Sequence, residues 1–477
     1  MKSPTLPALA CLLALAGGAS PVLAQPSGSA ALRGAAPLLL AAGDAAPSSR
    51  DALFGDDLLE AGSPSVPSAA PAAPAARAGG FKGYLQLELA RTTESPVHWS
   101  KMRARADLSA QGALGNGIKW KLGARADYDA VHSLYHTYPD EVARDQRANL
   151  TLRENYLDIG AGAWDFRLGR QHVVWGEMVG LFFADVVSAR DMREFILPEF
   201  EALRIPQWAL RAEYFRDDFH AELLWIPVAS YDEIGKPGAE FYPALPPVPG
   251  VTTLYRSEVR PSRSLANSNY GLRLSNLSNG WDYSAFVYRS MDVAPTFYRE
   301  IVGPATIAYE ARHDRITQYG GTLAKDFGSV VLKSEVVYTR GRSFNVLRAS
   351  DADGVVPQNI LDWAIGLDFS LPADTRFNVQ VFQRDFHEHD ADIVPARHES
   401  GYSLLLNRKL GDRVEAQALW ISSINRTDWL FRPRVTWTFE RNWRLAVGAD
   451  LFRGPPSGLF GRYDGRDRVY SEVRYSF

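Results

Sequence analysis

The chain has 477 residues and a single cysteine, Cys11. With no second thiol, a disulfide scaffold, a Cys-ligated zinc site and thiol catalysis in an exported mature chain are excluded. Lysine is also scarce: nine of the 52 basic residues are Lys, and Arg supplies the rest. Basic and acidic residues nearly cancel, 52 against 55, so no global field marks a nucleic-acid binder and no such partner is expected. No run of about 18 apolar residues follows the N-terminus, which excludes membrane-spanning helices. Aromatics are missing from the first 80 residues except for Phe54, although the chain holds 55. What remains is an aromatic-rich, moderately polar chain with no cysteine after Cys11. Soluble all-β proteins and outer-membrane barrels share that profile, and composition does not separate them.

The N-terminus narrows the choice. Lys2 precedes an apolar stretch from about Leu6 to Ala16, and Val22-Leu23-Ala24 forms a signal-peptidase site, which predicts a signal peptide over 1–24. From 25 to 80, Ala, Pro, Ser and Gly contribute 38 of 56 residues. Such a segment buries too little apolar surface to offset its chain entropy, so it reads as a disordered periplasmic linker. Its one island, Asp51 to Glu60, is either a docking element for a periplasmic partner or the least disordered part of a tail.

Beyond Gly80 the pattern has period two. Met102, Ala104, Ala106, Leu108 and Ala110 alternate with Arg103, Arg105, Asp107 and Ser109; Ile118, Trp120, Leu122, Ala124, Ala126 and Tyr128 alternate with Lys119, Lys121, Gly123, Arg125 and Asp127. Successive strand residues point to opposite faces, so each strand has one apolar and one charged face. Eighteen such segments are read between 82 and 477, including single strands at 149–160 and 163–172, with sixteen as the alternative count. Every second connection is a tight turn, such as Ser278-Asn279-Gly280, and most of the others are long: 129–148, 173–205, 228–266, 291–313, 341–358, 386–398 and 454–465. This segregation predicts a transmembrane antiparallel β-barrel of the outer membrane of a Gram-negative cell, with short periplasmic turns and long extracellular loops. Outer-membrane lipid and lipopolysaccharide are then its surroundings. The last strand ends on Phe477, in an alternation that resembles the terminal signal read by the barrel-insertion machinery. Trp120, Tyr128, Trp164, Trp208, Trp281, Trp437 and Trp443 sit near strand ends on the apolar phase, as interfacial belts require.

About eighteen strands enclose more space than wall side chains fill, which predicts a water channel narrowed by loops. Arg103, Arg105, Lys119, Lys121, Arg125, Arg167, Arg432, Arg434, Arg444 and Arg474 lie on the inward phase. Closing the barrel brings 413–474 beside 103–125, so a locally positive stripe is expected despite the net charge of −3. That stripe serves either an anionic solute or merely a lattice of wall ion pairs. The loop 173–205 is too apolar for water and should fold into the lumen or pack on a neighbouring subunit. Ser188 and Asp191 read as a helix start and Pro198 as its end. Trp175, Glu177, Asp185, Arg190, Asp191, Arg193 and Glu194 are the constriction candidates.

The run Leu168-Gly-Arg-Gln-His-Val-Val-Trp-Gly-Glu177, with Asp185, Asp191 and Leu203-Arg-Ile-Pro206, resembles the signature of a family of porin-like proteobacterial outer-membrane barrels of largely unknown function. Some of that family are linked with lipid or sterol handling and with inner-membrane exporters. Val186-Val-Ser-Ala-Arg190 stands where the family usually has Asn-Pro. Strand number and the Arg-rich wall are also similar to the alginate-export porin. The resemblance implies passive passage of a solute, or the outer-membrane exit of an export, lipid or polysaccharide pathway; a structural barrel of a surface complex or an adhesin is the alternative from another class. No nucleophile–base motif occurs among the nine scattered His, so no enzyme activity and no cofactor are expected. His387, His389, Asp390 and Asp392 form a weak candidate metal group, with cation-bridged lipopolysaccharide or simple solvation as its competing uses.

Overall fold

The computed structural model describes residues 81–477 apart from 177, 179–182, 247 and 347; the expected signal peptide over 1–24 and the segment 25–80 lie outside the described residues. One antiparallel sheet closes on itself. Its strands are β1 (Phe81–Thr92), β2 (Trp99–Gly115), β3 (Ile118–Asp129), β4 (Ala148–Leu152), β5 (Asn155–Ala161), β6 (Trp164–Gln171) and β7 (Gln207–Arg216). They continue as β8 (Phe219–Val228), β9 (Asn269–Ser278), β10 (Trp281–Met291), β11 (Arg315–Asp326), β12 (Val330–Asn345) and β13 (Val355–Leu371). The wall is completed by β14 (Thr375–His387), β15 (His398–Lys409), β16 (Val414–Ser423), β17 (Trp429–Glu440), β18 (Trp443–Arg453) and β19 (Arg468–Ser476). β4 and β5 share one position in the ring, since both pair with β3, so nineteen strands make eighteen wall positions. Each of the eighteen expected segments is found, and only the fourth is broken.

The ring closes because β1 pairs with β19 from Tyr84↔Ser476 to Thr92↔Arg468. Phe477 extends that ladder to the last residue: its N–H donates to Gly83 O at 2.9 Å, and its carbonyl accepts from Gly83 N at 3.0 Å. Closure leaves no free sheet edge along this seam. The alternation also sorts the faces as expected. On β1, Leu85, Leu87 and Leu89 are exposed outward, while Gln86 between them is buried inward. Tight turns such as Asn116-Gly117 and Asn279-Gly280 join strands at one end, and both residues of each turn have positive φ, the hairpin geometry Asn-Gly favours. Long connections crowd the other end. Trp164, Trp437 and Trp443 ring the turn end and Tyr128 and Trp208 the loop end, all 38–47% exposed on the outer face.

Candidate functional site

The site begins where β6 stops. Gln171 and Gln207 face each other in the last β6–β7 pair, and the chain between them turns inward. Both glutamines are fully buried. Gln171 Nε2 donates to Ala209 O at 3.0 Å, and Gln207 Oε1 accepts from Ser230 N at 2.7 Å. These amides satisfy backbone groups that the departing strand leaves unpaired.

One end of the inserted loop seats on an apolar part of the wall. Trp175 is fully buried and clusters with Val173, Val186 and Val187 of the loop and with Leu224, Ile226, Phe286, Tyr288 and Val337 of the barrel. Its ring lies 5.1 Å from Phe286 and 5.6 Å from Tyr288, and its Nε1–H donates to Glu222 at 2.9 Å. Gly271 makes room: a Cβ there would lie 2.6 Å from the indole. Glu335 accepts from Met178 N at 2.9 Å and Ala184 N at 3.0 Å. The Trp-Gly motif therefore anchors the loop rather than lining a passage.

The expected helix does not form. The Ser188 hydroxyl donates to Val173 O (3.0 Å) and to the Asp185 carboxylate (3.1 Å), so it caps nothing. Asp191 caps a single 3-10 turn, Met192–Glu194. Phe195 then takes φ 54°, a left-handed conformation costly for an aromatic residue, and ends it. Its ring is held among Phe452, Phe460 and Tyr463, 4.9 Å from the last. A continuous helix would keep that ring and the Glu194 carboxylate from reaching different partners.

The other end of the loop meets the positive stripe. Glu194 pairs with Arg103 at 2.6 Å, with Arg468 at 3.4 Å and with Lys101. Glu199 is gripped by three guanidiniums, Arg474 at 2.9 Å, Arg434 at 3.0 Å and Arg444 at 3.2 Å. Arg432 donates to Leu197 O at 2.6 Å, and Arg125 to Ala202 O at 3.3 Å. Burial by itself pushes both loop carboxyls up, but Arg103, Lys101 and Arg468 around Glu194, and Arg474, Arg434 and Arg444 around Glu199, outweigh it and hold each well below the usual carboxylate range. In this cluster nine cations (Lys101 and Arg103, 105, 125, 432, 434, 444, 468, 474) meet seven carboxylates (Glu88, Asp107, Asp127, Glu194, Glu199, Asp450, Glu472). A surplus of two positive charges survives the docking of the loop.

Two adjoining polar clefts flank the docked loop, sharing Lys101, Arg103, Arg105, Pro198 and Ala202. One runs past Arg432, Arg434, Glu472 and Arg474, the other past Asp127, Asp191 and Arg193. Space left beside the loop thus follows the charged wall.

The remaining candidates are spread out. Lys121 pairs with Glu154 (2.5 Å) and Arg167 with Asp158 (2.6 Å), while Lys119 is exposed near the turn end. Asp185 is buried inside the loop against Arg204 (3.0 Å), and Arg190 donates to its backbone carbonyl (2.9 Å), so neither lines the cleft. Asp191 pairs with Arg193 at 2.6 Å. Glu177 lies outside the described residues. In the suggested metal group, Arg348 holds Asp390 at 2.7 Å and donates its backbone N–H to Asp392 at 2.7 Å; His389 meets Pro395 O at 3.0 Å, and His387 packs edge-on to Tyr338. Sequence reasoning passed over Glu199, Lys101, Arg468 and Glu88. The last three carry the inward phase of their strands and were visible on that ground. Glu199 has no local signal, because only the path of the loop brings it to the stripe.

Among solved structures, the chain is similar to a loop L8 deletion mutant of OmpT, an outer membrane protein of Vibrio cholerae, at 10% identity and TM-score 0.41, covering 84% of this chain and 99% of that one. It is similar also to Salmonella typhi OmpF in complex with daunomycin, at 10% identity and TM-score 0.42, covering 84% and 97%. No curated protein sequence matches. The family model described as "Protein of unknown function (DUF1302)" matches residues 98–477, which take in all but the first strand of the barrel and the whole inserted loop, and the chain belongs to that family.

Proposed function

We propose that the chain is a porin-like channel of the Gram-negative outer membrane, exported by the signal peptide 1–24, that passes an anionic solute by diffusion along its arginine-rich wall. The observation that carries this reading is the cleft beside Glu199, whose lining holds seven cations against four carboxylates, while the adjoining cleft beside Glu194 is balanced at four against four. Transport then depends on pore width, wall charge and loop position, and involves no bond chemistry and no cofactor. The tight turns face the periplasm, the long loops face outward, and the apolar outer face meets lipid and lipopolysaccharide. Phe477, at the closing seam, is the handle for the barrel-insertion machinery, and residues 25–80 are the segment offered to a periplasmic partner. Reversal potentials of the purified chain in planar bilayers test the proposal. Chloride preference is expected, and clear cation selectivity refutes it. Deleting 178–200 should raise the conductance; an unchanged value refutes the constriction.

A further inference from the structure

The broken fourth wall position has a consequence for the membrane. β5 pairs with β3 on one side and β6 on the other, whereas among the described residues β4 has a strand partner only in β3. Arg153 N donates to Gly123 O and Asp129 N to Arg147 O, each at 2.8 Å, which turns the peptide groups of Asn149 and Thr151 toward β3. The peptide groups of Ala148, Leu150 and Leu152 therefore lie along an open edge. Side-chain exposure agrees: Leu150 is 77% exposed, against 41–61% for Leu85, Leu87 and Leu89 on doubly paired β1. β6, beside the gap, has eight residues, where about 9–11 are needed to span a bilayer. An unpaired strand edge in hydrocarbon is costly, so such a gap needs an occupant.

Two arginines bracket it. Arg153 sits at the break between β4 and β5 and donates to Glu201 O at 2.6 Å and Arg204 O at 2.9 Å, on the part of the loop behind the gap. Arg170 shares the outward phase of Trp164 and Leu168 and lies opposite Trp208. Among the described residues, neither has a carboxylate within ion-pair distance, unlike the arginines of the positive stripe. A cation placed there is matched by an anion supplied from outside the chain.

We infer that this gap is a lateral portal joining the lumen to the bilayer, and that its occupant is an amphiphile with an anionic head group and an alkyl tail. The head group seats at Arg153 and Arg170, and the tail lies along the open edge of β4. The segment 200–204, tied to Arg153, closes the portal from inside. This inference is independent of aqueous conduction.

The test places a photoreactive benzoylphenylalanine at Leu150, or at the fully paired outward control Leu223, in the full chain in phosphatidylcholine liposomes. The probes are a radiolabelled long-chain fatty acid, the fatty alcohol of equal length, and glycerol phosphate as the head group alone. The acid should label position 150 about tenfold more than position 223, as loss or gain of a charge-assisted contact implies, and the alcohol should label both alike. R153Q with R170Q should abolish the acid preference, and R153K should retain it while certifying a folded barrel. Equal labelling at 150 and 223, an undiminished preference in the double variant, or full displacement of the acid by glycerol phosphate would overturn the portal. Conductance of the same preparations separates the two readings: channels without site-specific labelling refute only the portal, and labelling without channels refutes only the proposed function.

Discussion

Replacing Glu199 by Gln keeps the shape of the loop and removes the charge that three arginines share. At about 3 Å and an effective dielectric constant near 20, each pair is worth roughly 5 kcal/mol of bare attraction. Desolvation of the carboxylate and repulsion among Arg434, Arg444 and Arg474 cancel most of that sum. Truncating one partner of a buried, hydrogen-bonded ion pair costs about 2–5 kcal/mol. The Glu199 side chain keeps 34% of its exposure, so screening places the loss at the lower end, about 2–3 kcal/mol. That shifts the ratio of docked to undocked loop by roughly 30- to 150-fold. Glu194 and the Trp175 anchor still hold the segment, so it should flicker rather than leave. Wall charge changes as well, because nine cations then face six carboxylates. Single-channel recordings of E199Q should show more frequent transitions to a larger conductance and a reversal potential moved further toward chloride. Dwell times and selectivity identical to those of the parent chain would refute the latch.

Other perturbations probe the remaining contacts. Glu194 and Glu199 have carboxyls held below the ordinary value of 4.5, so the stability they lend the docked loop is fully present above that pH and is lost only as pH falls through their lowered values. Conductance should accordingly stay flat from neutrality to about pH 4.5; opening between pH 7 and 5 would contradict this. Trp175→Ala empties a fully buried site and should cost about 3–5 kcal/mol of loop docking, seen as faster proteolysis within 183–200 with the barrel intact; unchanged cleavage would show that the indole is dispensable. Removing Phe477 takes two backbone hydrogen bonds and an aromatic ring from the closing seam. The yield of heat-modifiable barrel should fall, and a parental yield would show that the seam does not need it.

The wall was legible because one physical rule, alternation of faces, acts on every strand whatever its neighbours do. The stripe was legible because closure makes β1 and β19 neighbours and places Arg103 and Arg105 near Arg444 and Arg474. The break after Leu152 was not legible: it is a one-residue slip in register against β3, from Ala124↔Leu152 to Lys121↔Tyr156, and Arg153-Glu154 carries no proline or glycine to mark it. The loop was read correctly as too apolar for water, yet its helix was misread. Ser188 and Asp191 are common cap residues, but their side chains are claimed by tertiary partners and by a single turn. Its charged residues divide on the same principle. Glu194 and Glu199 reach the wall, whereas Asp185 pairs with Arg204 inside the loop, and spacing along the chain does not distinguish those fates.

On the proposed function, solute moves along a positively charged wall past a docked loop. Reversal potential across a planar bilayer holding the purified chain in a chloride salt gradient tests it most directly. A discrete conductance whose reversal potential is displaced toward the chloride equilibrium value is the predicted result; displacement toward the cation, or no conductance at all, would contradict it.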